Sequence, residues 1–337
     1  MKNYRRVIML AVAMICVVAV PAQAQPQDPL PSWNEGPAKQ AIVSFVQKVT
    51  DKSNPAYVPP ADRLATFDQD GTLWVEHPLY TQAMFALDRV HELAAKHPKW
   101  KIEQPFKAVL ANDPEAMARF TEQDWAKIIG ATHAGMTTEA FLKIVQEWLG
   151  RAKDPRFKRP YTELVYQPML EVMQYLRANG FKTYIVTGGG QEFVRVYSEQ
   201  IYGVPPEQVV GSSIATKYEY QDGKPVLMRL PKVFFIDDKA GKAEGINLFI
   251  GKRPLAAFGN SGGDREMLEY AGAGSGTRLM MLVLHDDPKR EYAYGPAEGL
   301  PDTKVGTFPQ TLRDEANKRG WVVISMKNDF KKIFKWE

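Results

Sequence analysis

The stretch of the chain richest in chemistry is Phe67-Asp68-Gln69-Asp70-Gly71-Thr72-Leu73. Two carboxylates two positions apart at the end of a strand suit a nucleophile and its proton-handling partner. Asp68 could attack phosphorus and become an aspartyl phosphate. Asp70, just past the strand, could protonate the leaving oxygen and later activate water. Both oxygen-bearing side chains also suit a hard cation such as magnesium. An Asp-Gly turn is written with the same letters, and local spacing alone leaves the two readings level. A calcium-binding helix–loop–helix loop does not fit, because the glycine arrives too early and apolar residues follow.

Three other segments carry similar residue types. Thr187 precedes Gly188-Gly189-Gly190 and a helix, so it offers a hydroxyl beside backbone N–H groups that favour an anion. By itself this is an ordinary glycine-rich turn. Lys242 follows Gly241 on an expected helix and could offset negative charge between nucleophile and phosphate. By itself it is a solvated lysine. Gly259-Asn260-Ser261-Gly262-Gly263-Asp264 follows an apolar run and brings two more oxygen-bearing side chains, Asn260 and Asp264, in what could otherwise be a flexible loop.

The elements that must hold these residues are readable from periodicity. Ala41, Ile42, Phe45, Val46 and Val49 recur at helical spacing. Leu64–Phe67 reads as a buried strand that stops at Asp68, and Thr183–Val186 as another that stops at Thr187. Pro168 opens a helix and Gly180 closes it; a further helix spans Phe193–Tyr202. Tyr218–Tyr220 and Pro225–Met228 flank Gln221-Asp222-Gly223-Lys224, a hairpin turn. Leu255–Phe258, Leu279–Leu284 and Trp321–Ile324 read as strands. Strand–helix alternation predicts an α/β fold with a parallel sheet covered on both faces. Such sheets place their chemistry at the carboxyl ends of the strands, which are the positions of Asp68, Thr187 and Asn260.

The N-terminus speaks to compartment. Lys2, Arg5 and Arg6 precede an apolar run of 14 residues, Val7 to Val20, followed by Pro21 and Ala22-Gln23-Ala24. This is the grammar of a signal peptide cleaved after Ala24; a spanning helix would need about 20 apolar residues. The expected product is exported, periplasmic in a Gram-negative bacterium and secreted otherwise, with no stable membrane anchor. The single cysteine, Cys16, leaves with the signal, so neither a disulfide nor a thiol nucleophile is expected. Three basic side chains leave too, lowering the formal charge from +4 to +1. A nearly neutral domain has no electrostatic case for nucleic acid or an anionic membrane as partner.

Taken in order, these residues resemble the four motifs of the haloacid dehalogenase superfamily, most closely its phosphoserine-phosphatase-like branch. Asp68, Asp70, Gly71 and Thr72 match its Asp-x-Asp-Gly-Thr signature. Thr187, Lys242 and the run Gly259 to Asp264 match the later three, over about residues 60–275. The resemblance implies a Rossmann-like doubly wound core and a helical cap inserted after the first motif. On that basis the chain divides into a signal peptide (1–24), an N-terminal helix with the first strand and nucleophile motif (25–76), a helical cap (77–160) and the rest of the core (161–337). It implies Asp68 as nucleophile and magnesium ligand, and Asp70 as acid/base lending its backbone carbonyl to the metal. Thr187, Gly188 and Lys242 would bind phosphoryl oxygens.

One departure matters. Asn260 stands where the family usually has a magnesium-ligating aspartate, so the site loses a charge there, and Asp264 would compensate directly or through water. Asp70 argues for phosphate-ester hydrolysis within the superfamily, because a halide leaving group needs no proton. Glu76 resembles the glutamate that phosphoserine phosphatases place near the substrate's amino group. Arg89 and His91 read as helix-surface residues, His285 as a loop residue within reach of the rim, and Trp74, Trp125 and Trp148 as packing. The expected activity is hydrolysis of a small phosphorylated metabolite. The competing reading is a binding protein for phosphorylated ligands whose turnover fell with Asn260.

Overall fold

The computed structural model describes residues 28–337; the expected signal segment lies outside the described residues. Among the described residues no helix is long and apolar enough to cross a membrane. Seven strands form one sheet: β1 (Leu64–Phe67), β2 (Lys182–Gly190), β3 (Val209–Gln221), β4 (Lys224–Phe235), β5 (Ala256–Gly259), β6 (Leu279–Leu284) and β7 (Val322–Ser325). Their spatial order is β4-β3-β2-β1-β5-β6-β7. Every neighbouring pair is parallel except the β3–β4 hairpin.

Among the described residues thirteen α-helices surround the sheet. In chain order they are α1 (Pro37–Thr50), α2 (Thr81–Leu93), α3 (Phe106–Leu110), α4 (Pro114–Met117), α5 (Glu122–His133), α6 (Thr138–Leu149) and α7 (Gln167–Ala178). After them come α8 (Gln191–Arg195), α9 (Ser198–Tyr202), α10 (Ala240–Gly245), α11 (Arg265–Gly272), α12 (Gln310–Arg319) and α13 (Met326–Asp329). Strands β1 and β5 are buried at every residue, as central strands of a parallel sheet covered on both faces must be. One face packs Phe67, Val172, Phe258 and Ile324 into the main core, and the other packs Val186, Ala257, Leu282 and Trp321. The doubly wound α/β fold read from strand–helix alternation is the fold found.

Topology places the site. From β1 the chain passes through α2 to α7 before entering β2 on one side, and β5 pairs with β1 on the other. This divergence leaves a crevice at the carboxyl end of β1. The helices α2 to α6 lie between β1 and β2 in sequence and include a small apolar centre of their own, Ala86, Val90, Trp100, Phe106, Val109 and Ile128.

Several elements differ from expectation for identifiable reasons. The hairpin strands run well beyond the segments read from sequence, around a turn with Asp222 at φ 49° and Gly223 at φ 75°, the twist-matched geometry for a two-residue loop. At the edge of the sheet, β4 is tied to the turn between α5 and α6. Arg229 N donates to Met136 O at 2.9 Å, and its Nε donates to His133 O at 2.7 Å. Strand β2 continues past Thr187 to Gly190, with a register irregularity against β3. The single helix expected over Phe193–Tyr202 is two helices, α8 and α9. Between them Tyr197 takes φ −125° and stacks on Trp74 at 4.7 Å.

Phe67 and Phe258 are register partners on β1 and β5, fully buried, with parallel rings 4.4 Å apart. Phe258→Ala would leave a cavity under the site-bearing strand ends and should cost about 3–5 kcal/mol in urea unfolding. Ile102→Ala, at a side chain 77% exposed, should stay within about 0.5 kcal/mol.

Candidate active site

The site is built around a buried ammonium. Lys242, on α10, is 2% exposed and reaches the carboxyl ends of three strands. Its Nζ donates to Asp68 Oδ1 at the end of β1, to Val186 O on β2 at 3.0 Å, and to Asp264 Oδ1 after β5 at 2.6 Å. Burial alone would lower the Lys242 pKa, but Asp264 and Asp68 outweigh it and raise it, so the lysine stays charged. Burial and the charge of Asp264 push Asp68 well above the usual carboxylate range, against the pull of Lys242.

The turn after β1 folds back over Asp68. Gln69 points away and donates to Tyr202 OH at 2.7 Å, leaving Asp68 and Asp70 on the opposite side. Leu73 N donates to Gln69 O at 2.9 Å. Gly71 sits at φ 74°, and a Cβ there would lie 2.2 Å from Asn260 Nδ2 and 2.3 Å from Glu76 Oε1, so only glycine fits. The turn returns Thr72 Oγ1 to within 3.4 Å of Asp68 Oδ2 and 3.2 Å of Asn260 Oδ1. His285 Nε2 meets Gly71 O at 2.7 Å and its Nδ1 meets Glu291 Oε2 at 3.1 Å, which fixes the turn from behind. His285 is thus a buried support of the turn rather than a residue of the rim.

Asp70 is held by Trp74, whose indole donates to its Oδ1 at 2.7 Å. Burial raises the Asp70 pKa to about 6, while the Trp74 hydrogen bond and Lys242 pull the other way. A Cβ on Gly189 would sit 3.7 Å from Asp70 Oδ2 and 3.3 Å from Thr187 Oγ1, so the free carboxyl oxygen faces the glycine loop and Thr187.

That loop is less open than its sequence implies. Gly189 N donates to Thr187 Oγ1 at 3.0 Å, which leaves the threonine hydroxyl proton available, and Gly188 is exposed. Gly190 N donates to Gln82 Oε1 on α2 at 2.7 Å. Gln82 Nε2 in turn lies 3.1 Å from His133 Nε2. Burial, then Arg229 and Arg89, lower the His133 pKa to about 3, so the ring is neutral and Nε2 accepts from Gln82. The row of free N–H groups expected after Thr187 is therefore partly taken by protein acceptors. Gln82 carried no signal in the sequence, since a glutamine in the first turn of a helix has no chemical signature.

Two site assignments need correcting. Both oxygens of Asp264 are engaged: Oδ1 by Lys242, and Oδ2 by Asn260 N at 2.9 Å and Ser261 N at 3.0 Å. With each oxygen already hydrogen-bonded, Asp264 caps the turn and holds the lysine, which leaves the route through water for any part it plays at the metal. Glu76 is not a substrate-facing residue either. It is 2% exposed, and its Oε1 accepts from Asn260 Nδ2 at 2.6 Å and Tyr294 OH at 2.7 Å. Burial, with the charges of Asp70 and Asp68, pushes Glu76 well above its ordinary pKa despite these donors.

The remaining donors fit a hard divalent ion. Glu76 takes the Asn260 nitrogen, which turns Asn260 Oδ1 to the Thr72 and Asp68 side. An Asp68 carboxylate oxygen and the Asn260 amide oxygen thus share Thr72 as neighbour, an all-oxygen set suited to magnesium. Among the described residues no three His, Cys, Asp or Glu side chains converge on one metal position, so such a set also needs backbone or water oxygens.

The family model of the haloacid dehalogenase-like hydrolases matches residues 65–269, more than half of the chain. The chain belongs to this family. The match spans β1 through most of α11 and includes all the motif residues above, whereas His285, Glu291 and Tyr294 lie beyond it. No curated protein matches the hydrolase. Among solved structures it is similar in fold to a conserved, functionally unknown protein from Anaerococcus prevotii, at 16% identity and a TM-score of 0.50, over 74% of this chain and 86% of that one. A protein of unknown function from Bordetella pertussis is 21% identical, with a TM-score of 0.46, over 78% and 97% of the two chains. A probable phosphoserine phosphatase from Vibrio cholerae is 16% identical, with a TM-score of 0.38, over 73% and 60%.

The raised pKa of Asp70 has a consequence for stability. Between 3.8 and about 6 the folded chain keeps a proton that the unfolded chain has released. The stability this contributes is complete below pH 3.8 and is lost as pH rises through about 6. Urea unfolding of metal-free protein on either side of that window should show a smaller loss in Asp70→Asn than in the wild type. Equal losses would mean that Asp70 is not the group that titrates.

Proposed function

We propose that this hydrolase is an exported, magnesium-dependent phosphomonoesterase in which Asp68 is the nucleophile and Asp70 the general acid and base. The observation that carries the reading is the pairing of unlike carboxyls in one buried site. Asp68 is clamped by a charged lysine, and Asp70, two residues on, is held through one oxygen by Trp74 and lifted by burial to about 6, where it can both give and take a proton. A site for carbon–halogen cleavage would have no use for that second group.

In this reading an Asp68 carboxylate oxygen forms a bond to phosphorus as the bond from phosphorus to the ester oxygen breaks. Asp70 gives its proton to the departing alcohol. Asp70, now ionised, takes a proton from water, which attacks the aspartyl phosphate; the bond from phosphorus to Asp68 breaks and inorganic phosphate leaves. Lys242 balances the charge of Asp68 as the anionic phosphoryl group approaches, and Thr187, with the N–H groups of Gly188 and its neighbours, would hold the phosphoryl oxygens. Magnesium, held by Asp68, the Asp70 backbone carbonyl and Asn260, would supply charge neutralisation to the phosphoryl oxygens. Trp74 keeps Asp70 aimed by holding one of its oxygens. The helices α2 to α6 act as the cap: Gln82 touches the glycine loop at Gly190, which favours a small substrate.

The deciding experiment is phosphate release from a panel of phosphomonoesters by the chain starting at Gln25, with magnesium or with chelator. Release should require the metal and vanish in Asp68→Asn. Asp70→Asn should lose roughly 10²–10⁴-fold on alkyl esters, and much less on an aryl ester whose leaving group needs no proton. Absence of release from every ester in folded, magnesium-replete protein would favour a phosphoryl-ligand binder, with Asn260 as the reason. The N-terminal sequence of protein recovered outside the cytoplasm should begin at Gln25.

A pH profile tests the Asp70 assignment separately. The Trp74 indole stabilises the ionised carboxyl, so Trp74→Phe should raise the Asp70 pKa and move the alkaline limb of kcat to higher pH. An unmoved limb would assign it to another group.

A further inference from the structure

The charge around the expected cation position is low. Asp68 and Asp264 share Lys242, which leaves one net negative charge among the three, and Asn260 adds none. Asp70 keeps one oxygen on Trp74. A divalent ion held by so little charge would bind weakly. Yet a further carboxyl, 2% exposed, lies against Asn260. Glu76 Oε1 takes the Asn260 amide and the Tyr294 hydroxyl, and a Cβ on Gly71 or on Gly306 would fall 2.3 or 1.9 Å from that oxygen. The backbone is left bare at two glycines, both at positive φ, to make room for this one group.

We propose that Glu76 and Asn260 work as one divided carboxylate, with Asn260 presenting the ligating oxygen and Glu76 supplying the negative charge of the metal shell. The division follows from hydrogen-bond direction. Glu76 Oε1 accepts from both Asn260 Nδ2 and Tyr294 OH, so it fixes the amide nitrogen of Asn260 on its own side and leaves Asn260 Oδ1 toward Thr72 and Asp68. The anions that raise the Glu76 pKa, Asp70 and Asp68, are the groups whose charge a bound cation would offset. Tyr294, donating to the same oxygen, holds Glu76 in that rotamer. The second oxygen, Oε2, takes no hydrogen bond from the described residues. Glu76 is thereby a positioning and charge-supplying residue that does not touch substrate.

The proposal rests on the metal-dependent reading above, and metal binding tests the two apart. The measurement is Mn²⁺ affinity of metal-stripped protein, by electron paramagnetic resonance of the free ion and by calorimetry, without substrate. Glu76→Gln keeps the shape and both incoming hydrogen bonds but removes the charge. It should weaken Mn²⁺ binding ~10–100-fold, the range for groups that support a ligand from behind. Exchanging the pair, Glu76→Gln with Asn260→Asp, reverses the hydrogen bond and returns the charge to the ligand itself, and should restore affinity to within a few-fold of the wild type. Wild-type affinity in Glu76→Gln at an unchanged melting temperature would overturn the divided carboxylate while leaving the metal site standing. So would an exchanged pair that folds but binds no better than Glu76→Gln. Should Glu76→Gln alone not fold, the exchanged pair decides against the wild type by itself. A wild-type protein that binds no Mn²⁺ would overturn both this proposal and the metal-dependent function.

Discussion

An ammonium group with almost no solvent contact governs the arrangement of this protein. Taking a lysine charge out of water is costly unless anions and carbonyls replace the lost hydration. Lys242 finds those partners on three separate strand ends: Asp68 after β1, Val186 O on β2 and Asp264 after β5. The ion cluster therefore fixes the spacing of the central strands at the place where the fold opens its crevice. It also explains why Asp264 faces inward. Its other oxygen caps the backbone at Asn260 and Ser261, so the same carboxylate holds the lysine and shapes the loop that presents Asn260.

Much of this was legible in the sequence because it is local. An apolar run that stops at an acid, a hydroxyl or a glycine marks a strand end, and Asp68, Thr187 and Asn260 were located that way. The class of fold followed from alternation alone. What the sequence did not disclose are relations between distant residues. Glu76 and Tyr294 are 218 positions apart, and Glu76 and Asn260 are 184 apart. No periodicity links them, so in the sequence Glu76 shows only its resemblance to the glutamate that phosphoserine phosphatases place near the substrate's amino group. Asp264 is a related case: spacing shows that a carboxylate is near, but not that its oxygens hold Lys242 and the turn at Asn260 and Ser261. The break between α8 and α9 was hidden too, because the local pattern is helical and the pull on Tyr197 comes from Trp74, far back in the chain.

The segment after β6 shows how far the site extends beyond its motifs. The family match ends at residue 269, yet His285 holds the Gly71 carbonyl, Tyr294 holds Glu76, and Gly262 N donates to Thr307 O at 2.9 Å. These residues touch no reacting group. They set the backbone of the nucleophile turn and the rotamer of the acid behind Asn260, as outer partners do around ligands and bases.

The Arg229 guanidinium has an implication for how this architecture can be altered. It is 4% exposed, donates to His133 O, lies 3.3 Å from Glu192 Oε2 and sits 3.9 Å over the Phe141 ring. Its partners therefore come from α5, α6 and α8, although it belongs to the hairpin. Transplanting the helical segment from a relative without the hairpin would strand that cation among groups chosen for another shape. For recombination, whether in a genome or in a laboratory chimera, residues 81–149 and 209–235 are one module, although α7, β2, α8 and α9 lie between them in the chain.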